Sequence, residues 1–431
     1  MLALIDADIL PYEFGGMVQL EDPEKPLEWE IVRSMVDDRI NQIVEATGSD
    51  SLSLYLTDSS SNFRVDLATI KPYKGHRKTE KPYHWERIRQ HLIDNWDAEV
   101  QYGIEADDRL GIEQMKRLKA QGARIPLKDG QSAIVDWEDY LTYNKFSWTT
   151  TSRGYVYREV GGGRDSSEKR EQYFLHRLIL GAKECEIVDH INGDILDNRK
   201  VNLRICSVKD NVRNSSSRRG SSAYKGVYWD SERNKWAAQI KVDKKPISLG
   251  RYDKEEEAAD AYDKAALEHF GEYARLNKGS AVEVPPFQET VICSRDKDLN
   301  MIPGAHYSWP AGKQQERLWY ETYTSSLRHF YRQLLTGDNT DNILGLYGVG
   351  TSSQLVKRLE DIDEEQLMFE HVYKAYQDRF GTYATQFMWE NAALLWIMRE
   401  EPYVDDLYGH KHPAAEIEKR LDSLLARLAN E

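Results

Sequence analysis

The stretch LALIDAD at 2–8 is a short apolar run that ends in aspartates. LSLYLTD at 52–58 and VICSRDKDL at 291–299 repeat the pattern. Apolar runs of this length, closed by polar residues, are typical of buried strands. YHWERIRQHLIDNW at 83–96 instead has the spacing of an amphipathic helix. Strands that alternate with helices predict a parallel α/β sheet.

Carboxylates recur just after these strands, at the edge where open α/β sheets place their sites. Packed like charges repel one another, so such an edge normally needs cations to neutralise it. Mg²⁺ and Mn²⁺ prefer oxygen ligands, and two such ions suit phosphodiester hydrolysis. For any single Asp, helix capping or solvation is the simpler interpretation, but it is a weak one for the ordered set. The acids are Asp6, Asp8, Asp58, Glu105, Asp107, Asp108, Asp296, Asp298, Asp338 and Asp341.

The segment IKPYKGHRKTEKP at 70–82 is a basic loop around Tyr73 and His76. Its proline and glycine residues indicate a loop or a flexible arch. A loop of this kind near an acidic site can hold a phosphate backbone or a single strand. On composition alone, a solvated loop explains it equally well. Its basic residues are Lys71, Lys74, Arg77, Lys78 and Lys81.

The segment LTGDNTDNILGLYGVGTSSQLVKRL at 335–359 is rich in glycine and precedes a helix. Glycines let backbone amides approach a phosphate, and a helix N-terminus favours an anion. Glycines alone are weak evidence of such a site, but the two aspartates just upstream make the motif specific. The glycines are Gly345, Gly348 and Gly350.

Together these motifs resemble the phage and bacterial 5′-to-3′ exonucleases of the flap endonuclease superfamily, across about residues 1–120 and 289–400. The matching motifs, in family order, are LIDAD, TDSSSNFR, YKGHR, IEADD, SRDKDL and GDNTDNILGLYGVG. The resemblance implies a PIN-like parallel-sheet nuclease with a helix–three-turn–helix that grips duplex DNA. It also implies that the loop at 70–82 is an arch through which a 5′ strand passes.

The same resemblance implies roles for individual residues. The acids named above bind two Mg²⁺ or Mn²⁺ ions, with the role of Asp8 left open. Lys74 and Arg77 contact the scissile phosphate. Contacts to DNA are expected from Lys71, Lys78, Lys81, Gly345, Gly348 and Gly350.

The run VDHINGD…DN…NLR…N within 174–214 is a second, different motif. A His beside an Asp can deprotonate water, because imidazole has the right basicity near neutral pH. An Asp-His pair alone means little, since structural histidines are common, but the full run is specific. It resembles the HNH homing endonucleases with the ββα-metal fold.

By that resemblance, Asp189 and Asn211 bind one metal ion and His190 is the general base. Asn202 supports His190. The final position of the motif is Asn rather than the His that gives the family its name. His176 precedes the motif; it is either structural or a phosphate contact, and the structural interpretation is favoured.

The segment 224–271 predicts three short strands followed by an amphipathic helix. The whole chain has a net charge of −14, yet residues 199–245 hold 13 Lys and Arg against 4 Asp and Glu. The segment resembles the ethylene-responsive-factor DNA-binding domain, in which such a sheet enters the major groove. Tryptophans in the core of a small sheet are the alternative, and at least one is expected there. The DNA-facing set is Lys225, Trp229, Lys235, Trp236, Gln239 and Lys241.

The simplest organisation is one domain inserted within another. We expect an α/β PIN-like 5′ nuclease interrupted by an α+β insert that combines the HNH fold with a three-stranded sheet and helix. The predicted parts are 1–121 and 289–431 for the 5′ nuclease, 122–222 for the HNH domain, and 223–288 for the sheet domain and a joint.

Composition excludes several classes of protein. The N-terminus has no basic region and carries aspartates in its apolar run, so it is not a signal peptide. No stretch approaches the length needed to span a bilayer. Three scattered cysteines suggest neither a zinc site nor a disulfide framework. We expect a cytoplasmic monomer, in a bacterial or phage-infected cell, with DNA as its partner.

Three hypotheses about function remain. Both nucleases work, or only the replication-type exonuclease works, or only the HNH endonuclease works within a host scaffold. A non-catalytic DNA-binding protein is the alternative from another class. Because both motif sets are complete, the sequence predicts two competent sites, with the exonuclease the safer assignment. The expected substrates are 5′ ends, flaps and duplex DNA, and also RNA in an RNA–DNA hybrid.

Overall fold

The computed structural model describes residues 1–76, 80–161, 170–215, 221–279, 281–404 and 411–430. Clustering of the fold gives two compact units. Unit 1 joins Met1–Ala120 to Gln288–Glu431, and unit 2 is Gln121–Phe287. Within the described ranges, no helix combines the length and the apolar character needed to cross a membrane.

The first part of unit 1 alternates strands with helices, as the sequence predicts. Helices α2 and α4 bury apolar residues three and four positions apart, among them Val32, Val36, Ile88 and Leu92. The elements are β1 (Leu2–Asp6), α1 (Ile9–Phe14), α2 (Trp29–Thr47), β2 (Ser51–Asn62), α3 (Phe63–Leu67), α4 (Trp85–Trp96), β3 (Glu99–Gly103) and α5 (Ala106–Gln121).

Unit 2 contains small antiparallel sheets in place of one large sheet. Its strands and helices run from Ala123 to Tyr273. The elements are β4 (Ala123–Pro126), β5 (Ser132–Val135), α6 (Trp137–Tyr143), β6 (Thr149–Thr150), β7 (Val156–Val160), β8 (Glu171–Phe174), α7 (Leu175–Leu180), β9 (Ile187–His190), a 3₁₀ helix (Lys200–Asn202), β10 (Leu203–Cys206), α8 (Val208–Asn214), β11 (Val227–Asp230), β12 (Lys235–Val242), β13 (Lys245–Tyr252), α9 (Glu255–Phe270) and a 3₁₀ helix (Gly271–Tyr273).

Two local predictions for unit 2 are confirmed. Strands β9 and β10 form an antiparallel pair that α8 follows, which is the predicted ββα order. Strands β11, β12 and β13 form the predicted three-stranded sheet, and α9 packs on it. Both arrangements place their chemistry-bearing residues on rigid elements.

The second part of unit 1 is mostly helical, as predicted. It contributes two parallel strands and one antiparallel strand to a large sheet, a separate two-stranded antiparallel pair, and a series of helices. The elements are β14 (Thr290–Cys293), a 3₁₀ helix (Lys297–Met301), β15 (Gly304–Ser308), β16 (Arg317–Glu321), α10 (Tyr323–Thr336), α11 (Gln354–Leu359), α12 (Glu365–Phe380), a 3₁₀ helix (Gly381–Tyr383), α13 (Ala384–Leu395), β17 (Tyr403–Val404), β18 (Lys411–His412) and α14 (Ala415–Asn430).

One six-stranded sheet organises unit 1, in the order β16-β15-β14-β1-β2-β3. All neighbouring strands are parallel except β16, which runs antiparallel at one edge. Central β1 is buried on both faces: Ala3 and Ile5 pack into one core cluster, and Leu2 and Leu4 into the other. The parallel α/β prediction is confirmed, and the carboxyl ends of these strands share one edge.

Candidate functional site

Three residues predicted from the ββα motif line one cleft of unit 2. Asp189 and His190 end strand β9, and Asn211 lies on helix α8. Tyr155 and Arg275 also line this cleft. The hairpin and the helix thus place a carboxylate, an imidazole and an amide around one space, as hydrolytic chemistry requires.

The Asp189 carboxylate is held in place from two sides. Asn214 Nδ2 donates to both of its oxygens at 3.0 Å. Arg204 Nε and Nη2 donate to Oδ2 at 2.9 and 2.8 Å. Oδ2 accepts three of these hydrogen bonds and Oδ1 only one, so Oδ1 keeps an acceptor site for a cation. The sequence did not identify Asn214, although it lies three residues after Asn211 on the same helix face.

His190 is buried beside other rings. Its side chain lies 5.3 Å from His176 and 6.1 Å from Tyr155, measured between ring centroids. Burial lowers the pKa of His190, while Asn198 and Asp189 oppose the change. The Oδ1 atom of Asn198 lies 3.5 Å from Nε2. The imidazole is therefore neutral near neutral pH, which is the form that can accept a proton.

Asn202 acts on the loop after His190 and has no hydrogen bond to its ring. The residue is fully buried, and its Nδ2 donates to Asp197 O at 2.7 Å. Its Oδ1 accepts from Asn192 N at 2.9 Å, and its carbonyl accepts from Ile191 N at 2.8 Å. The ring instead faces Asn198, whose Oδ1 can accept a hydrogen bond from His190 Nε2 and which the sequence did not single out.

His176 is almost fully buried, and its Nδ1 has no hydrogen-bond partner among the described residues. Burial, together with His190, lowers the pKa of His176 to about 3. The ring also packs against Phe174 and Tyr155. A ring that stays neutral and packs among aromatic side chains fits the structural interpretation.

The donors in this cleft suit a hard divalent cation. Asp189 supplies a carboxylate oxygen and Asn211 an amide oxygen, the ligand types that Mg²⁺ prefers. Across the described ranges, no three His, Cys, Asp or Glu side chains are grouped as a metal site. A cation at Asp189 would therefore keep several water or phosphate ligands, as Mg²⁺ commonly does.

The three-stranded sheet divides the predicted DNA-facing residues between its two sides. Lys235, Gln239 and Lys241 alternate along β12 on the side opposite Trp236, which packs against the cluster formed with α9. Trp229 lies opposite Trp236 in the strand register, with ring centroids 5.1 Å apart. Trp236 is half-buried and packs against the core cluster, which agrees with the expectation that at least one tryptophan packs toward the core.

Lys225 lies apart from this outer side. Its Nζ donates to the carbonyl oxygens of Arg213 and Ser215, at the end of α8 and just after it. Burial lowers the pKa of Lys225 to about 8. This ammonium connects the sheet segment to the HNH segment within unit 2.

Unit 1 has an acidic cleft at the carboxyl edge of its parallel sheet. Strands β1, β2 and β14 and the start of α5 bring carboxylates together there. Basic and aromatic side chains complete the wall. The lining residues that the sequence singled out are Asp6, Asp8, Asp58, Glu105, Asp107, Asp296, Lys74 and Lys81.

Crowding in this cleft raises several carboxyl pKa values. Burial, with Asp8 and Asp296 nearby, raises the pKa of Asp6 to about 8. Burial, with Asp6 and Asp296 nearby, raises the pKa of Asp107 well above its usual range. Asp298 lies beside this cleft and not in its lining, and burial with Asp296 nearby raises its pKa to about 8. Without cations, these acids therefore retain protons near neutral pH.

The remaining acids of the set lie beside this group. Asp338 accepts from Lys297 Nζ at 2.8 Å, and although burial opposes it, this contact lowers the pKa of Asp338. Asp298 accepts from Gln333 Nε2 at 2.6 Å. Asp341 accepts from Tyr73 Oη at 2.8 Å. Each therefore has a protein partner.

Lys74 reaches into the carboxylates from the basic loop. Its backbone is left-handed, with φ of 53°, and its Nζ lies 2.7 Å from Glu105 Oε1. Although burial opposes it, Lys74 and Arg64 lower the pKa of Glu105. Lys71 is exposed, whereas Arg77 and Lys78 lie outside the described residues.

Asp108 is the member of the acidic set that the structure places elsewhere. It is fully buried, and its oxygens accept from Arg64 Nη1 and Nη2 at 2.6 and 2.8 Å. The backbone N–H groups of Glu105 and Met398 also donate to it at 3.1 Å. These contacts give Asp108 a role in holding the core around α5.

The glycine motif contains two kinds of glycine. Gly345 has φ of +56°, and a Cβ there would lie 2.2 Å from the backbone nitrogen of Gly337. Gly348 has φ of +84°, and a Cβ at Gly348 or Gly350 would meet nothing within 4 Å among the described residues. Packing therefore requires glycine at 345, whereas the two later positions are open to an approaching group.

Comparison with known proteins finds two family matches, both within unit 2. Residues 173–213 match the HNH endonuclease family, and residues 222–272 match the AP2 domain. An uncharacterized HNH endonuclease of Acanthamoeba polyphaga mimivirus is 32% identical over 151 residues, which is 35% of this chain and 76% of that protein. Asp189, His190, Asn202 and Asn211 all lie inside the first match.

Proposed function

The chain belongs to the HNH endonuclease family, and on that premise we propose that unit 2 is a DNA endonuclease acting through Asp189, His190 and Asn211. The cleft that these three residues share is the observation that carries the proposal. The AP2 match supports DNA as the partner. Although the sequence ranked the 5′ nuclease of unit 1 first, both family matches fall in unit 2, so its alternative, the HNH endonuclease, has the stronger support.

The proposed chemistry uses one proton acceptor and one cation. Neutral His190 takes a proton from water, whose oxygen attacks the phosphorus while the bond to the leaving sugar oxygen breaks. Asp189 and Asn211 would hold a Mg²⁺ or Mn²⁺ ion, which would supply positive charge to stabilise the phosphate and the leaving oxygen. Asn198, Asn202 and Asn214 position these groups.

Cleavage of supercoiled plasmid DNA carrying phage sequence tests this proposal. With Mg²⁺, we expect the wild type to nick the plasmid and His190→Ala to lose about 10²–10⁴-fold in rate. His269→Ala, at an exposed position of α9, is the matched control and should cut normally. EDTA should abolish cleavage and leave DNA binding intact, which separates a nuclease from a non-catalytic DNA-binding protein. Nicking that survives His190→Ala would overturn the assignment.

We propose as a second candidate that unit 1 is a two-metal nuclease acting on 5′ ends and flaps. The proposal rests on geometry alone. Carboxylates from three strands and from α5 share the cleft with Lys74, and several keep protons because they are crowded. Two cations would neutralise such a group and suit phosphodiester hydrolysis.

Release of short products from a 5′-labelled flapped duplex tests the second candidate. Asp296→Ala should abolish it, whereas His190→Ala and the exposed-site control Asp361→Ala should retain it. If the wild type nicks plasmid but leaves 5′ ends intact, the second candidate is wrong and unit 1 serves only as a host scaffold.

A further inference from the structure

Unit 2 has a second cleft outside both family matches, and it shares no lining residue with the His190 cleft. Three segments build it: the turn after β4, the connection after α6, and strand β7. Lys128, Lys145 and Arg158 bring positive charge to it, and Phe146 and Tyr157 supply aromatic walls. The remaining lining residues are Ser147, Thr149 and Glu159.

Aromatic packing fixes Arg158 in this cleft. Its guanidinium carbon lies 3.8 Å from the centroid of the Phe146 ring and 5.9 Å from that of Trp148. Phe146 meets Trp148 edge to face at 6.5 Å. Trp148 is 1% exposed, and its Nε1 donates to Tyr143 O at 2.9 Å. Stacking on such a wall orients the plane of the guanidinium and leaves its edge donors free for a ligand.

No acceptor within the described ranges takes a hydrogen bond from the Arg158 guanidinium, and its Nε is buried without a partner. A guanidinium carries five N–H donors. A half-buried charge without an acceptor is costly, so an arrangement of this kind favours an anion from outside the fold.

The surrounding charges strengthen this conclusion. Lys128 and Lys145 are exposed, and neither forms an ion pair within the described ranges. The one lining acid, Glu159, is engaged by Arg170 at 3.5 Å and by Gln172 at 3.3 Å. Asp129, next to Lys128, accepts from Thr150 Oγ1 at 2.6 Å and from Gln131 N at 3.1 Å. Among the described residues, the cleft therefore carries more positive than negative charge.

We propose that this cleft, the Arg158 cleft, binds a backbone phosphate of the DNA that unit 2 cuts, at a point separate from the scissile phosphate. The planar guanidinium matches phosphate oxygens in pairs, and the two lysines add point charges. The assignment to DNA rests on the proposed endonuclease function. The site would fix the register of the duplex without reading its sequence, as phosphate contacts do.

The salt dependence of DNA binding tests the proposal on the full chain, in EDTA so that nothing is cut. Each lost phosphate contact should lower the slope of log K against log salt by about 0.9. Because the cleft holds one phosphate, Lys128→Ala with Lys145→Ala should lower it by up to about 0.9. The matched control is Lys264→Ala with Lys278→Ala, because Lys264 is exposed on α9 and Lys278 is already paired with Asp260. An unchanged slope in the first pair would overturn the proposal.

Arg158→Lys gives a second measurement that keeps the charge and removes the planar fork. We expect duplex affinity to fall about tenfold at fixed salt, with little change in the slope. Hydrogen exchange in peptides around Trp148 should match the wild type, which excludes simple unfolding. Wild-type affinity in a folded Arg158→Lys protein would overturn the role of the guanidinium.

Inorganic phosphate without DNA tests the other source of the same ligand. Two results together would assign the cleft to a free anion and overturn the proposal. Phosphate binding would be saturable and lost in the double lysine variant, and the DNA slope of that variant would be unchanged. The slope is measured without cleavage, so the two proposals can fail separately. A protein that binds DNA with the expected slope but does not cut it would contradict only the endonuclease function. An unchanged slope in the double lysine variant, when the wild type cuts DNA, would contradict only the proposal that the Arg158 cleft binds a DNA phosphate.

Discussion

Asn214 donates its side-chain amide to both carboxylate oxygens of Asp189 at 3.0 Å, and so ties helix α8 to the end of strand β9. The same amide reaches the carbonyl oxygen of His190 at 2.9 Å. One side chain therefore orients the acid and the backbone of the base together. Its loss should disturb the cleft without removing any group that reacts.

Asn214→Ala tests this positioning role. We expect the Mg²⁺ concentration needed for half-maximal plasmid nicking to rise about 10–100-fold, because residues that orient a metal ligand have effects of that size. Gln172→Ala, at an exposed position of the same unit, is the control and should leave the Mg²⁺ requirement unchanged. A Mg²⁺ titration of nicking by both variants decides the matter. If Asn214→Ala matches the wild type, Asp189 needs no such support.

The pH dependence of nicking should reflect the buried environment of His190. Because burial lowers the pKa of His190, its neutral, proton-accepting form persists below the usual imidazole range. The apparent kcat/KM at saturating Mg²⁺ should therefore rise with a midpoint below about 6.5 and be flat from pH 7 to 8. A midpoint above pH 7 would show that another group controls the proton transfer.

The sequence specified the reacting residues of unit 2 better than their supports. Asp189 and His190 are neighbours in the chain, and the full run VDHINGD…DN…NLR…N around them indicates hydrolytic chemistry by its residue types and spacing. Asn214 and Arg204 act only because α8 and β10 fold back on β9, with Arg204 opposite Asp189 in the register. The pattern of a single sequence shows residue types and their spacing, but it shows only weakly which side chains the fold brings into contact.

In unit 1, too, some features could be predicted from the sequence and others could not. Acids placed after buried strands were predicted to share a sheet edge, and the parallel register brings Asp6, Asp107 and Asp296 to one cleft. The pairing of Asp108 with Arg64 was not foreseen, because the two residues are 44 positions apart. It depends on how α3 packs against α5. The sheet domain shows the same limit at Lys225, whose partners lie in the preceding segment.

His176 should make the inserted unit sensitive to acid. Burial, with His190 nearby, lowers the pKa of His176 to about 3, whereas an unfolded histidine titrates near 6.5. Between these values the unfolded state binds the extra proton, so stability is full above pH 6.5 and falls as the pH falls. The contribution is at most about 1.4 kcal/mol per pH unit.

Urea titrations measure this effect. They compare the wild type with His176→Gln at pH 7 and at pH 5, and hydrogen exchange in peptides of 171–214 reports the unfolding. We expect the wild type to lose more stability than the variant on acidification. Equal losses would show that His176 does not retain its neutral form.

The acidic cleft of unit 1 should respond to pH in the opposite direction. Burial and like charges raise the pKa values of Asp6 and Asp298 to about 8, far above those of unfolded carboxyls. Stability from these protonated groups is present at low pH and is lost as the pH rises through the folded pKa values. Divalent cations should restore it by neutralising the ionised acids.

Mg²⁺ should therefore raise the unfolding temperature of unit 1 more at pH 8.5 than at pH 6. Hydrogen exchange in peptides covering β1 and β14 reports this unit separately. Asp296→Asn should reduce the Mg²⁺ effect, and Asp361→Asn should leave it unchanged. An equal response at both pH values would argue against a cation site in the cleft.

Substitution of Asp108 shows whether its carboxylate acts as the partner of a buried ion pair or as a metal ligand. Asp108→Asn leaves the Arg64 guanidinium buried with only Glu105 as an anionic neighbour, at 3.7 Å. Breaking a buried pair from one side typically costs about 3–5 kcal/mol. We therefore expect a large loss of stability in Mg²⁺-free buffer, with the Mg²⁺ response of the remaining folded protein retained. Asp107→Asn is the matched neighbour: it relieves crowding, so it should keep stability and reduce the Mg²⁺ response. The reverse pattern would make Asp108 a ligand and leave Arg64 to be neutralised by Glu105.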